Sequence, residues 1–134
     1  MTIKLSRSNL GSFRQLLQID QHELIADARL DQETDSGPNP HDLYDAALAA
    51  CKAITLLMYA EQANIPLDDV HIKIDRDSSE ERSGKYHLQV DLVLDGKLDS
   101  AQKSRLEKVA AKCPIHKLMT VATTTITTSC EVTG

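Results

Sequence analysis

The sequence predicts an α+β fold with the element order β-β-β-α-β-β-α-β. Short stretches in which apolar and polar residues alternate predict strands, and longer apolar segments with three- and four-residue spacing predict two helices. The first three strands are grouped at the start instead of alternating with helices, which argues against a doubly wound parallel sheet. A length of 134 residues fits one domain spanning the whole chain.

Composition excludes several classes of function. Fifteen basic against twenty acidic residues give a net charge of −5, and no basic cluster is present, which disfavours a nucleic-acid partner. No uninterrupted apolar run approaches 18 residues, so we expect no membrane span. The N-terminal segment lacks the apolar stretch of a signal peptide, and we expect a cytoplasmic protein. Three cysteines in a reducing compartment do not make a disulfide framework.

The N-terminal third is expected to form strands at residues 3–5, 13–19 and 23–26. A polar loop over 31–39 follows and ends in signals for the start of a helix. Asn39 is a suitable N-cap, Pro40 suits the first helical position, and Asp42 places a carboxylate in the first turn.

A helix over residues 40–63 is the strongest prediction. It is apolar on nearly every side, and between Ala46 and Ala60 its only charged residue is Lys52. A helix that is apolar all round is buried all round, and a chain of this size rarely covers such a helix alone. We therefore expect a partner subunit to cover part of it.

The second half is expected to contain a hairpin, a helix, a short helix and a strand. Residues 70–74 and 86–94 alternate and are joined by a polar tip. An amphipathic helix over 98–112 has its cap near Asp99 or Ser100, and Pro114 can open a short helix. The β-branched segment 121–132 predicts a closing strand.

The three cysteines have both structural and chemical interpretations. Cys51 lies in the apolar helix and is most simply a core residue. Cys130 is most simply a strand residue without a chemical role. Cys113 continues an apolar stripe, but it also precedes Pro114 at a helix junction, where backbone amides favour a thiolate. His116 completes only half of a zinc-ligand spacing with Cys113, and we expect neither a metal nor a cofactor.

His41 and Asp42 also allow two interpretations. Structurally they are first-turn residues of the long helix, with Asp42 as a capping group. Functionally, an ionisable group at this position could orient an activating cation or hold a proton near a thiol. His116, one turn from Cys113, could likewise act as an electrostatic partner for the thiol.

Two motifs, taken together, resemble the OsmC/Ohr family. The first runs from Gly37-Pro38-Asn39-Pro40-His41-Asp42-Leu43 into the apolar helix that carries Cys51, and the second is Lys112-Cys113-Pro114-Ile115-His116. The Cys-Pro-x-His form is most similar to the OsmC-like branch that contains YhfA-type proteins. The resemblance covers essentially the whole chain.

The resemblance implies an OsmC-like fold and an intertwined homodimer with the long helices packed centrally. It further implies thiol-dependent reduction of organic hydroperoxides. Cys51 would attack the peroxide and become a sulfenic acid, Cys113 would resolve it as a disulfide, and a dithiol reductant would restore both thiols.

The chain departs from the family pattern at one position. Family hydroperoxide reductases carry a Glu just after Asn-Pro, paired with an activating Arg; here His41 follows Pro40, and the acid comes one residue later. The Arg is left open among Arg7, Arg14 and Arg29. The alternative is therefore a non-catalytic, dimeric OsmC-like protein that binds a small apolar ligand at its interface.

Overall fold

A computed structural model describes residues 1–8, 13–28 and 36–134. The contacts of the chain form two compact units, Met1–Ala47 and Leu48–Gly134. The expectation of one domain over the whole chain stays a prediction.

The first unit contains a three-stranded antiparallel sheet of order β1-β2-β3. Its strands are β1 (Ile3–Arg7), β2 (Gln15–Ile19) and β3 (His22–Ala26). Alternating apolar residues align across the sheet, with Leu5 opposite Leu17 and Leu17 opposite Leu24. The three predicted strands are therefore confirmed.

The long helix α1 spans Pro40–Gln62. Its start is fixed by two reciprocal hydrogen bonds: the Asp42 amide donates to Asn39 Oδ1 (2.8 Å), and the Asn39 amide donates to Asp42 Oδ2 (3.1 Å). This arrangement is a capping box, which pairs amide groups that the helix itself leaves without partners. After the helix ends, Asn64 adopts a left-handed conformation with φ 55°, which Asn tolerates better than most residues. Both predicted ends of the helix are confirmed.

In the second unit, β4 (Leu67–Asp77) pairs antiparallel with β5 (His87–Gly96). Gly84 lies in the tip of this hairpin with φ 87°, a conformation that glycine adopts without steric penalty. The predicted hairpin is confirmed, although β4 is longer than the alternating stretch suggested. Apolar residues on one face of the hairpin pack against a core that α1, α2 and the connection between α1 and β4 supply: Leu56, Ala60, Ile65, Leu106 and Ala110.

Two helices follow the hairpin, as predicted. Helix α2 (Ser100–Ala110) begins with a capping box between Asp99 and Gln102. Helix α3 (Pro114–Thr120) has Cys113 as its N-cap residue and a proline in its first turn. Arg105 of α2 donates a 2.6 Å hydrogen bond to the Tyr59 hydroxyl of α1.

The predicted closing strand is wrong for the single chain. Residues 121–134 contain no regular secondary structure, and their apolar side chains are exposed, Ile126 by 82%. The β-branched residues favour an extended backbone, but a strand also needs a neighbouring edge to bond its amide and carbonyl groups. The local composition predicts an extended backbone, but it does not show whether a neighbouring strand is available to pair with it.

Helix α1 is buried along one stripe only. The buried residues that recur at four-residue steps are Leu48, Lys52, Leu56 and Ala60, whereas Ile54 and Met58 are 57% and 60% exposed. By length and composition α1 also qualifies as a membrane-crossing helix, with mean hydropathy 1.3 and 28% of the tested window buried. A core helix of a soluble protein meets the same criterion, so one such helix is weak evidence for a membrane span. The outer face of α1 is an exposed apolar surface, whose contact with water is unfavourable.

Candidate functional site

Two thiols belong to the second unit and lie on different elements. Cys51 occupies the middle of α1 and is half-buried, with Sγ 3.9 Å from the Thr55 hydroxyl one turn later. Cys113 links α2 to α3 and is fully buried. Neither thiol is in a disulfide. In the single chain, Cys51 is therefore the more accessible of the two.

Lys52 connects the neighbourhoods of these thiols. This residue directly follows Cys51, and its side chain is only 4% exposed. Its ammonium donates to the Ala110 carbonyl (2.5 Å) and lies 3.0 Å from His116 Nδ1. These two partners lie three residues before and three residues after Cys113. The segment of α1 that carries Cys51 therefore contacts both sides of the junction that carries Cys113.

The contact with Lys52 fixes the protonation of His116. An ammonium group only donates hydrogen bonds, so Nδ1 must accept and Nε2 carries the ring proton. Partial burial of the ring, together with the positive charge of Lys52, lowers the pKa of His116 below its ordinary value. His116 is consequently a neutral imidazole at pH 7.

Sequence reasoning missed Lys52. A single charged residue in an apolar helix is ordinarily assigned to the exposed side, and here the cation faces inward while Ile54 and Met58 face outward. The sequence does indicate that Lys52 faces inward, through the four-residue spacing of Leu48, Lys52, Leu56 and Ala60. This spacing places Lys52 on one stripe of the helix with three apolar residues, all of which are buried.

The other predicted site residues lie in the first unit or outside the described part of the chain. Asp42 takes part in the capping box, and His41 is an exposed neighbour in the same turn. Arg7 is exposed on β1, and Arg14 is half-buried just before β2. Arg29 falls outside the described residues. An activating arginine among these three stays a prediction.

Cys130 and one surface cluster are further reactive or ligating groups among the residues that the structure describes. Cys130 is exposed in the C-terminal segment. Asp69, His71 and Asp95 bring three possible metal-ligand atoms within 4.8 Å of one another on the β4–β5 hairpin, and all three residues are exposed. His71 Nε2 lies 3.0 Å from the Asp95 carboxylate and 3.6 Å from that of Asp69. The cluster is therefore accounted for by one solvent-exposed hydrogen bond and one longer polar contact, which contribute little to stability.

The fold and the two motif cysteines, Cys51 and Cys113, place the chain in a class of small α+β proteins built around a long apolar helix. The chain belongs to the OsmC-like protein family, whose model matches residues 33–129, more than half of the sequence. Members of this family are commonly dimeric. The family resemblance read from the two cysteine motifs is confirmed.

Solved structures have the same fold. An OsmC-like protein from Mycoplasma pneumoniae is 21% identical, with a TM-score of 0.73 over 90% of this chain and 87% of that one. The organic hydroperoxide resistance protein OhrB of Bacillus subtilis is 24% identical, with a TM-score of 0.55 over 90% and 92%. An organic hydroperoxide resistance protein OsmC from Legionella pneumophila is 20% identical, with a TM-score of 0.61 over 90% of both chains. No curated protein matches the sequence.

Proposed function

We propose that this chain is a cytoplasmic, thiol-dependent reductase of organic hydroperoxides that works as a homodimer. Cys51 would attack the peroxide, and Cys113 would resolve the product. The observation that carries this proposal is the contact of Lys52 with Ala110 and His116, because it ties the helix segment of Cys51 to the junction of Cys113. Family membership and neighbours described as hydroperoxide resistance proteins support the same chemistry.

The order of the two cysteines follows from their burial. Cys51 is half-buried, whereas Cys113 presents no surface to solvent in the single chain. A peroxide from solution therefore meets Cys51 first. The thiolate attacks one peroxide oxygen, the O–O bond breaks, an alcohol leaves after protonation, and the sulfur becomes a sulfenic acid. Cys113 then displaces water from that sulfur, and a dithiol reductant restores both thiols.

The homodimer is supported by the apolar face that α1 leaves exposed. Ile54, Leu57 and Met58 lie on this face, in the same helix as Cys51. A second copy of the chain would remove these side chains from water, and it would place a subunit boundary beside the thiol.

Counting thiols tests the proposal directly. One equivalent of tert-butyl hydroperoxide should remove two free thiols per chain from the reduced protein. Cys51→Ser should lose none, and Cys130→Ser, as the matched control, should behave like wild type. If the wild-type protein loses no thiols, the reductase proposal fails and a ligand at the dimer interface becomes the better explanation.

A further inference from the structure

Lys52 is a buried cation that the thiol chemistry described above does not use. It lies on the stripe of α1 that contains the buried residues Leu48, Leu56 and Ala60, and it is 4% exposed. Removing an ammonium from water is unfavourable, and an apolar side chain of similar length would fill the same space without that penalty. A lysine at this position therefore calls for a role beyond packing.

Its surroundings define what the charge can do. One proton of the ammonium is held by the Ala110 carbonyl, and another is directed to His116 Nδ1 at 3.0 Å. Among the residues that the structure describes, Lys52 is the charged group that lowers the pKa of His116. His116 therefore carries its ring proton on Nε2. The ammonium of Lys52 is positioned to donate a second proton to Nδ1.

We propose that Lys52 and His116 form a proton-donating pair at the thiol site, with His116 as the donor and Lys52 as its positioning residue. The proposal rests on the reductase function proposed above. Two relationships along the chain support this location: Lys52 directly follows Cys51 in α1, and His116 lies in the helical turn that Cys113 begins.

The step is balanced in atoms and electrons. The Cys51 thiolate forms an S–O bond with an alkyl hydroperoxide, the O–O bond breaks, and the alkoxide leaves with the electron pair. Sulfur is oxidised by two electrons and the peroxide is reduced by two. His116 gives its Nε2 proton to the alkoxide while Lys52 passes a proton to Nδ1, and solvent then restores both groups.

Nuclear magnetic resonance of the His116 ring tests the pair without any peroxide. In the reduced wild-type protein the ring nitrogens should show a proton on Nε2 and none on Nδ1. Lys52→Met should weaken this preference and raise the share of the Nδ1–H form, and Lys52→Arg should keep it. Lys112→Met removes an exposed lysine from the same junction and should leave the ring unchanged. A proton on Nδ1 in wild type, or no change in Lys52→Met, would overturn the pairing.

Leaving-group dependence tests the proton transfer itself. His116→Gln should slow single-turnover oxidation of Cys51 by alkyl hydroperoxides at least ~10-fold, because a basic alkoxide needs the proton. Oxidation by a peracid should change far less, because a carboxylate leaves without one. Equal slowing with both oxidants would indicate a merely structural role and overturn the proposal.

The two proposals can fail separately. If wild type oxidises Cys51 but His116→Gln matches it with alkyl hydroperoxides, the reductase function stands and the donor assignment is wrong. If wild type consumes no hydroperoxide, the reductase function and the donation step fail together. The resonance experiment still decides the Lys52–His116 pairing in that case.

Discussion

The ammonium of Lys52 and Nδ1 of His116 lie 3.0 Å apart, although 64 residues separate them in the sequence. The contact joins the middle of α1 to the first turn of α3. Together with the contact of Lys52 with Ala110, it holds both sides of the junction at Cys113. It also sets the ring tautomer of His116, because the lysine can only donate. The electrostatics of the candidate site therefore depend on a residue that composition alone would place at the surface.

Resolution by Cys113 predicts a trappable intermediate. In Cys113→Ser, a stoichiometric dose of alkyl hydroperoxide should leave Cys51 as a sulfenic acid, because the thiol that condenses with it is missing. Dimedone labelling followed by mass spectrometry would locate the adduct. A disulfide formed in this variant would instead identify Cys130 or a second subunit as the resolving partner.

Lys52→Met is expected to leave the unfolding free energy unchanged or raise it, by up to ~1–4 kcal/mol, because replacing a buried charge by an apolar side chain is often favourable. His116→Ala should have the opposite effect and cost about 1–2 kcal/mol, because the buried ammonium loses a partner. Urea unfolding of the reduced protein measures both. A strongly destabilised Lys52→Met would show that the lysine is present for stability.

Acidification should weaken the fold partly through His116. Its folded pKa is lowered by partial burial and by Lys52, so the unfolded chain binds this proton at higher pH than the folded chain. The stabilising contribution is complete above the ordinary value of 6.5 and is lost as pH falls from there through the folded pKa. Between pH 7 and about 5, His116→Gln should therefore lose less unfolding free energy than wild type. Parallel losses in urea titrations would contradict this.

Charge on the exposed face of α1 should weaken the homodimer. Ile54→Glu and Met58→Glu place carboxylates on a surface that a second copy would desolvate, so both should shift sedimentation towards the monomer at micromolar concentration. Ser104→Glu, at an exposed position on α2, is the matched control. A wild-type chain that remains a stable monomer at high concentration would refute the dimer.

Loss of the capping box at the start of α1 should reduce stability by a modest amount. Asp42→Ala removes the carboxylate that accepts the Asn39 amide, and we expect a cost of about 1 kcal/mol in unfolding free energy. Thermal or urea unfolding measures this cost. An unchanged midpoint would mean that solvent replaces the capping hydrogen bond at no cost.

Local patterns predicted most of the elements because their causes are local. Alternation along the strands, the Asn39-Pro40 start of α1 and the cap at Asp99 each depend on a few neighbouring residues. The closing strand was wrong because strand formation depends on a distant edge, which β-branched composition does not reveal. The two cysteines were chosen from motifs, and the burial that distinguishes Cys51 from Cys113 came only from packing.

The α+β class, the family and the two motif cysteines can be predicted from the sequence, since these follow from periodicity and from motifs written in consecutive residues. Packing in the folded chain sets which side of α1 faces inward, and thus that Lys52 is buried against Ala110 and His116. Between Ala46 and Ala60, where Lys52 is the one charged residue, α1 has several faces of similar hydrophobicity. The face that is buried is the one on which the rest of the chain provides hydrogen-bond partners for the Lys52 ammonium.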